Sequence, residues 1–157
     1  MANAWEIRHS CLLASFTHRG RGREFILSTD VCVPLDKLDI IIAETEKEFA
    51  VYDMPCILCA HVTDGNFHCA IPYKTDTEWR LARELESHMI ERAIALGGTI
   101  SGEHGLGIEK VKHVVLEHGP AHVEVQERIK RALDPDNLMN PGAFYPFQQA
   151  LYPTAHL

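Results

Sequence analysis

The sequence predicts an α+β fold, an antiparallel β-sheet covered on one face by helices. Three observations carry this expectation. Apolar β-type runs at 25–33, 56–62 and 67–73 are bounded by turn residues, and only a short turn, Thr63-Asp64-Gly65-Asn66, separates the last two. Apolar residues recur at helical spacing in 35–49 and again in 79–96. No G-x-G-x-x-G follows a strand, so a dinucleotide-binding parallel sheet is not indicated.

The elements follow in order. Residues 1–16 read as a short amphipathic helix with Trp5, Leu12, Leu13 and Phe16 apolar, and 17–24 as a Gly/Arg-rich loop. Phe25 to Val33 is a strand ended by Pro34, which cannot donate to a ladder. Asp36 is an N-cap candidate for a helix whose apolar face is Leu35, Leu38, Ile42, Thr45 and Phe49. Two strands and their turn come next. Thr75 or Asp76 opens a long helix carrying Trp79, Ala82, Leu85, Met89, Ala93 and Leu96, which Gly97-Gly98 ends. Thr99-Ile100 is a short strand feeding a Gly-rich loop. Helices follow at 107–117 and 121–133, separated by Gly119-Pro120, and Asn140-Pro141-Gly142 is a turn.

A chain of 157 residues with 46% hydrophobic content is one domain's worth with a real core. Its net charge of −7 gives no support to nucleic-acid binding. The local basic run His18, Arg19, Arg21 and Arg23 is broken by Gly20 and Gly22 and reads as a solvated loop. Five cysteines are odd in number and lie mainly in apolar stretches, which fits buried thiols in a reducing compartment. Cys56-Ile-Leu-Cys59 lacks the helix start of a redox motif and reads as core strand. No stretch reaches the roughly 20 apolar residues of a membrane span. Met1-Ala-Asn-Ala-Trp-Glu6 is neither a secretory signal nor an Arg-rich transit peptide, so no targeting signal is expected in this chain.

The chemistry concentrates in His61-Val-Thr-Asp-Gly-Asn-Phe-His68 and Ser101-Gly-Glu-His-Gly-Leu-Gly107. If Asp64-Gly65 forms a two-residue hairpin turn, His61 stands directly opposite His68 on one sheet face. A turn of another length shifts that register. Two imidazoles so placed can converge on one cation, and Glu103, bracketed by Gly102 and Gly105, is the candidate carboxylate. Two histidines and one carboxylate leave positions open for a substrate. In an extended chain neighbouring side chains point oppositely, so Glu103 and His104 divide into one ligand and one acid/base group. The same residues also fit a cross-strand histidine pair beside an ordinary loop leading into a helix, and spacing alone leaves both open. A phosphate cradle in Gly102–Gly107 is disfavoured, because Glu103 would repel the anion.

These two blocks, together with Leu96-Gly-Gly-Thr-Ile100, Leu133-Asp-Pro135 and Leu138-Met-Asn-Pro-Gly142, resemble the C-terminal domain of FAD-linked oxidases. Trp5-Glu-Ile-Arg8-His9 and Thr29-Asp-Val-Cys-Val-Pro34 are most similar to the cytochrome-type D-lactate dehydrogenases within the D-2-hydroxy-acid dehydrogenase group. The resemblance implies a ferredoxin-like substrate and metal domain over 1–142 and a tail over 143–157. It also implies that an N-terminal FAD-binding domain is absent from this chain.

The resemblance further implies roles. His61, His68 and Glu103 would hold a divalent metal, zinc or manganese. His104 would take the hydroxyl proton while hydride leaves for the flavin, and it would contact substrate. Arg8 would bind the substrate carboxylate, and Asn140 would lie near the flavin. Lys110 matches a family lysine without an assigned role. FAD, a small 2-hydroxy acid, the missing FAD domain and cytochrome c or another electron acceptor are the implied partners. The implied location is mitochondrial in a eukaryote and cytoplasmic otherwise. An exposed apolar flavin-facing surface implies self-association. Ala70 stands where related hydroxyglutarate dehydrogenases carry Asn, which argues against a long dicarboxylate. Thr63 stands where the family usually has Gly, and a second substrate cation, with Arg23 as the guess, is not fixed. Two alternatives stay open: a non-catalytic metal-binding fragment and, more weakly, a flavin-independent metallohydrolase.

Overall fold

The computed structural model describes residues 3, 5–7, 9, 10, 14 and 24–143. The chain divides into two units, Met1–Gly102 and Glu103–Leu157. The described residues before 15 are helical. Arg8, Cys11 and Arg23 lie outside the described residues, as does the tail from 144.

In the first unit, strand β1 (Phe25–Ser28) and strand β2 (Val31–Cys32) pair antiparallel with one side of β4 (Asn66–Tyr73). Strand β3 (Ile57–His61) pairs with its other side. The expected α+β architecture with an antiparallel sheet is what the chain adopts. The predicted strand 25–33 is interrupted at Thr29-Asp30, yet its register against β4 continues across the gap, Ser28 facing Ala70 and Val31 facing Phe67. Pro72 is tolerated in β4 because strand alternation turns its missing N–H toward the β3 side, where pairing has ended at Ile57↔Ala70.

Alternation decides the two faces of the sheet. Phe67, Cys69 and Ile71 of β4 are fully buried with Val31 of β2. Over them packs helix α2 (Asp76–Ala95), through buried Ala82, Leu85, Met89, Ile90 and Ala93. Helix α1 (Leu38–Val51) packs on α2 and buries Leu38, Ile41, Thr45 and Phe49. Full burial of a side chain such as Phe67 is worth about 1.5–3 kcal/mol, so this layer anchors the unit. The opposite face carries His61, Asn66 and His68.

Two local expectations change. Asp36 does not cap α1: Pro34 starts a 3-10 turn over Leu35–Lys37, closed by Lys37 N–H donating to the Pro34 carbonyl at 2.8 Å. Leu35 and Trp79 are exposed rather than buried. The cap of α2 is Thr75, whose hydroxyl accepts from Glu78 N–H at 3.2 Å, while the Glu78 carboxylate accepts from Lys74 N–H at 2.7 Å.

Gly97, at φ +79°, ends α2 in a Schellman arrangement, with Gly97 N–H donating to Ile94 and Gly98 N–H to Ala93. A Cβ at Gly98 would sit 2.2 Å from the Cys32 carbonyl oxygen. That close approach lets Thr99 exchange both backbone hydrogen bonds with Cys32, extending the sheet by one residue.

The second unit holds helix α3 (Val111–His118) and helix α4 (Pro120–Leu133), packed on each other. Helix α3 starts four residues later than expected, because 107–110 form a turn closed by Lys110 N–H to the Leu106 carbonyl. Pro120 opens α4 at a position that needs no N–H donor. Beyond α4 the Asp134 carboxylate accepts from the N–H groups of Leu138 and Met139, each at 2.9 Å, and from Lys130. No helix among the described residues is long and apolar enough to cross a membrane.

Candidate metal centre

The histidine hairpin forms with a register that corrects the one expected from Asp64-Gly65. His61 faces Asn66, and His68 faces Cys59. The loop is Val62–Gly65, four residues, with Asp64 N–H and Gly65 N–H both donating to the His61 carbonyl. A two-residue Asp-Gly turn needs positive φ at both positions, and only Gly65, at +77°, adopts it. Gly65 is also pressed against β2. Its carbonyl accepts from Val33 N–H at 2.9 Å, and a Cβ there would lie 2.3 Å from the Val33 oxygen. The Cys32 thiol donates to the Asp64 carbonyl at 3.3 Å. Burial first, then the charges of Asp30 and Asp64, push the Cys32 thiol up, so it stays protonated and acts as this donor.

The register differs from the expected one by two residues, not one, so the histidines keep a common face. They meet diagonally. Their ring centroids are 5.3 Å apart with planes at 78°. A ligating nitrogen of each lies no more than 4.8 Å from one of the other. A tetrahedral ion needs about 3.4 Å between two such nitrogens, which lies within that bound.

The interruption at Thr29-Asp30 serves His68. The Thr29 carbonyl lies 3.0 Å from His68 Nδ1. A carbonyl only accepts, so this contact requires a proton on Nδ1, and in the neutral ring the lone pair then sits on Nε2, open to a ligand. Fully buried Asp30 places Oδ1 at 3.7 Å from the same Nδ1, and its Oδ2 accepts from the Ser101 hydroxyl at 2.7 Å. Gly102 comes close here: a Cβ on it would lie 2.7 Å from Asn66 Cβ and 3.0 Å from Asp30 Oδ1. Thr29, Asp30 and Ser101 lie in blocks the sequence singled out, but none of them was assigned a role there. The available signal was the three consecutive polar residues Ser28, Thr29 and Asp30 inside the apolar run 25–33.

Of the remaining expected site residues, all but Arg8 belong to the second unit. Glu103 and His104 are exposed and lie in a turn directly after Gly102. Lys110 is buried. Asn140 is exposed in the closing turn at φ +48°, a left-handed conformation that Asn tolerates, and its carbonyl accepts from Ala143 N–H. Arg8, expected to take a carboxylate, lies outside the described residues.

The family model for FAD linked oxidases, C-terminal domain, matches residues 1–144. The chain is 38% identical over 90% of its length to an Arabidopsis thaliana protein described as mitochondrial cytochrome D-lactate dehydrogenase, covering 25% of that protein. It is 40% identical over 88% of its length to a probable mitochondrial D-lactate dehydrogenase of Danio rerio, covering 28% of it. A glycolate oxidase subunit of Bacillus subtilis is 30% identical over 74% of the chain. The chain thus spans about a quarter of the length of these curated relatives.

Proposed function

Since this chain belongs to the family of FAD linked oxidases, C-terminal domain, we propose that it is the substrate- and metal-binding part of an FAD-dependent D-2-hydroxy-acid dehydrogenase acting on D-lactate. The observation that carries this reading is the pair His61 and His68 on one sheet face, with His68 Nε2 left as a lone-pair donor by its Nδ1 contact. Glu103 is proposed as the third ligand. Its support is covalent: it directly follows Gly102, which abuts Asn66, the residue facing His61.

Two imidazoles and a carboxylate suit zinc or manganese and leave sites for a chelating substrate. When bound, the cation supplies Lewis acidity toward a substrate hydroxyl, and FAD supplies the two-electron acceptor. His104 then holds the proton released from the 2-hydroxyl at a ring nitrogen. Arg8 meets the substrate carboxylate with a bidentate fork. Asn140 is proposed to lie near the flavin. The product is the 2-oxo acid. The proposed electron acceptor is cytochrome c or an equivalent carrier, and the proposed location in a eukaryote is mitochondrial, the location printed in the names of the D-lactate dehydrogenase relatives.

Paramagnetic NMR tests this. Manganese-loaded chain is expected to broaden the methyl signal of D-lactate, and His61→Ala is expected to lose that effect. No difference between wild type and His61→Ala would contradict the reading.

A further inference from the structure

Thr29 breaks the antiparallel ladder at one atom only. The registers of β1 and β2 against β4 set Thr29 opposite Cys69 and Asp30 opposite His68. In a regular hydrogen-bonded pair, each residue donates its N–H to the carbonyl of the other. Thr29 N–H donates normally to the Cys69 carbonyl at 3.0 Å. The return bond is altered. Cys69 N–H donates to the Thr29 hydroxyl oxygen at 2.8 Å instead of to the Thr29 carbonyl. The displaced carbonyl is the one that meets His68 Nδ1 at 3.0 Å.

We infer that Thr29 is a positioning residue for His68: its side-chain oxygen takes over the ladder bond, so its own carbonyl is released to hold the imidazole in the Nδ1–H tautomer. The three groups exchanged in the ladder are each satisfied. The Cys69 N–H keeps a partner in the core, the Thr29 hydroxyl donates weakly to the Met89 sulfur at 3.9 Å, and the carbonyl gains the ring N–H. Full burial of Thr29 leaves no water to substitute for the hydroxyl. Asp30, held by Ser101, stands behind the same ring nitrogen and adds a negative charge on the side where Nδ1 carries its proton. Such backing of a ligating histidine fixes ring orientation and typically changes metal affinity by about 10–100-fold.

The tautomer lock is a property of the sheet itself. Its consequence for metal affinity rests on the proposed role of His68 as a ligand, so the test reads the two separately. Long-range 1H–15N spectra of His68 are recorded in the metal-free chain at about pH 8, where histidine is neutral. Zinc affinity is then measured by competition with a chromophoric chelator.

Wild type is expected to show the Nδ1–H tautomer. Thr29→Val, nearly the same shape without the hydroxyl, returns the carbonyl to Cys69 N–H. It is expected to give a mixed or Nε2–H tautomer and about 10-fold weaker zinc binding. Thr29→Ser is expected to restore both. Thr29→Ala makes the same prediction as Thr29→Val if the valine variant fails to fold. A wild-type Nε2–H tautomer, or an unchanged tautomer in folded Thr29→Val or Thr29→Ala, overturns the lock. A tautomer that shifts as expected in a chain binding no zinc upholds the lock and overturns the metal reading.

Discussion

His61 and His68 are not directly opposed: His61 faces Asn66, two residues before His68 in the same strand, and the two rings meet diagonally at 5.3 Å. The four-residue loop moves the register by an even number, which preserves the face. Deleting Val62 forces either an odd slip or a strained turn. An odd slip sends His61 to the helix-covered face. Zinc affinity is then expected to fall by more than about 100-fold, beyond what loss of a supporting residue causes. An affinity within a few-fold of wild type would show that register does not bring the rings together.

Gly65→Ala tests what sets that register. The backbone there is left-handed, which costs a side chain about 1–2 kcal/mol. The new Cβ would also fall 2.3 Å from the Val33 carbonyl oxygen. Urea unfolding is expected to show a loss of about 2 kcal/mol or more. A loss under about 0.5 kcal/mol would mean that the turn and β2 are not tied as described.

Asp134 gives the pH dependence. Lys130, and then the N–H groups of Met139 and Leu138, hold its carboxyl down to about 2. An unfolded Asp titrates near 3.9. The folded pKa is the lower one, so the stabilisation is present above about pH 4 and is lost as pH falls through about 2. NMR titration is expected to give a midpoint near 2 for the Asp134 carboxyl, with the Leu138 and Met139 amide signals moving together. Asp134→Asn should abolish the coupled movement. A midpoint near 3.9 would refute the turn's hydrogen bonding.

Thr75→Ala removes the cap of α2 and leaves Glu78 N–H without its acceptor. The expected cost is about 1 kcal/mol, read as a lower thermal midpoint. Thr75→Ser is expected to retain most of the stability.

The strands, the helices and the ends of α2 were legible because hydrophobic period and Gly/Thr punctuation act locally. Phe67 to Tyr73 is a mostly apolar run directly after a turn signal, and Gly97-Gly98 marks the end of a helix. The hairpin register was not legible. Asp64-Gly65 suits a tight turn locally, but Gly65 also meets Val33, a contact far away in sequence. Asp36 failed as a cap for a related reason, since Pro34 commits the preceding backbone to a 3-10 turn. The histidines could be named as candidates from spacing. Thr29, Asp30 and Ser101 could not, because their role depends on strand pairing that brings residue 29 beside residue 68. Glu103 and His104 were named from the Gly-flanked loop and chain alternation, with their separate roles and Asn140 coming from the family resemblance.

Metal analysis of the purified chain after zinc or manganese loading, with wild type compared to His61→Ala and His68→Ala, tests the central claim most directly. About one equivalent of ion in wild type and little in either variant is the expected result. Equal metal content in all three would contradict the assignment of the histidine hairpin as the metal site.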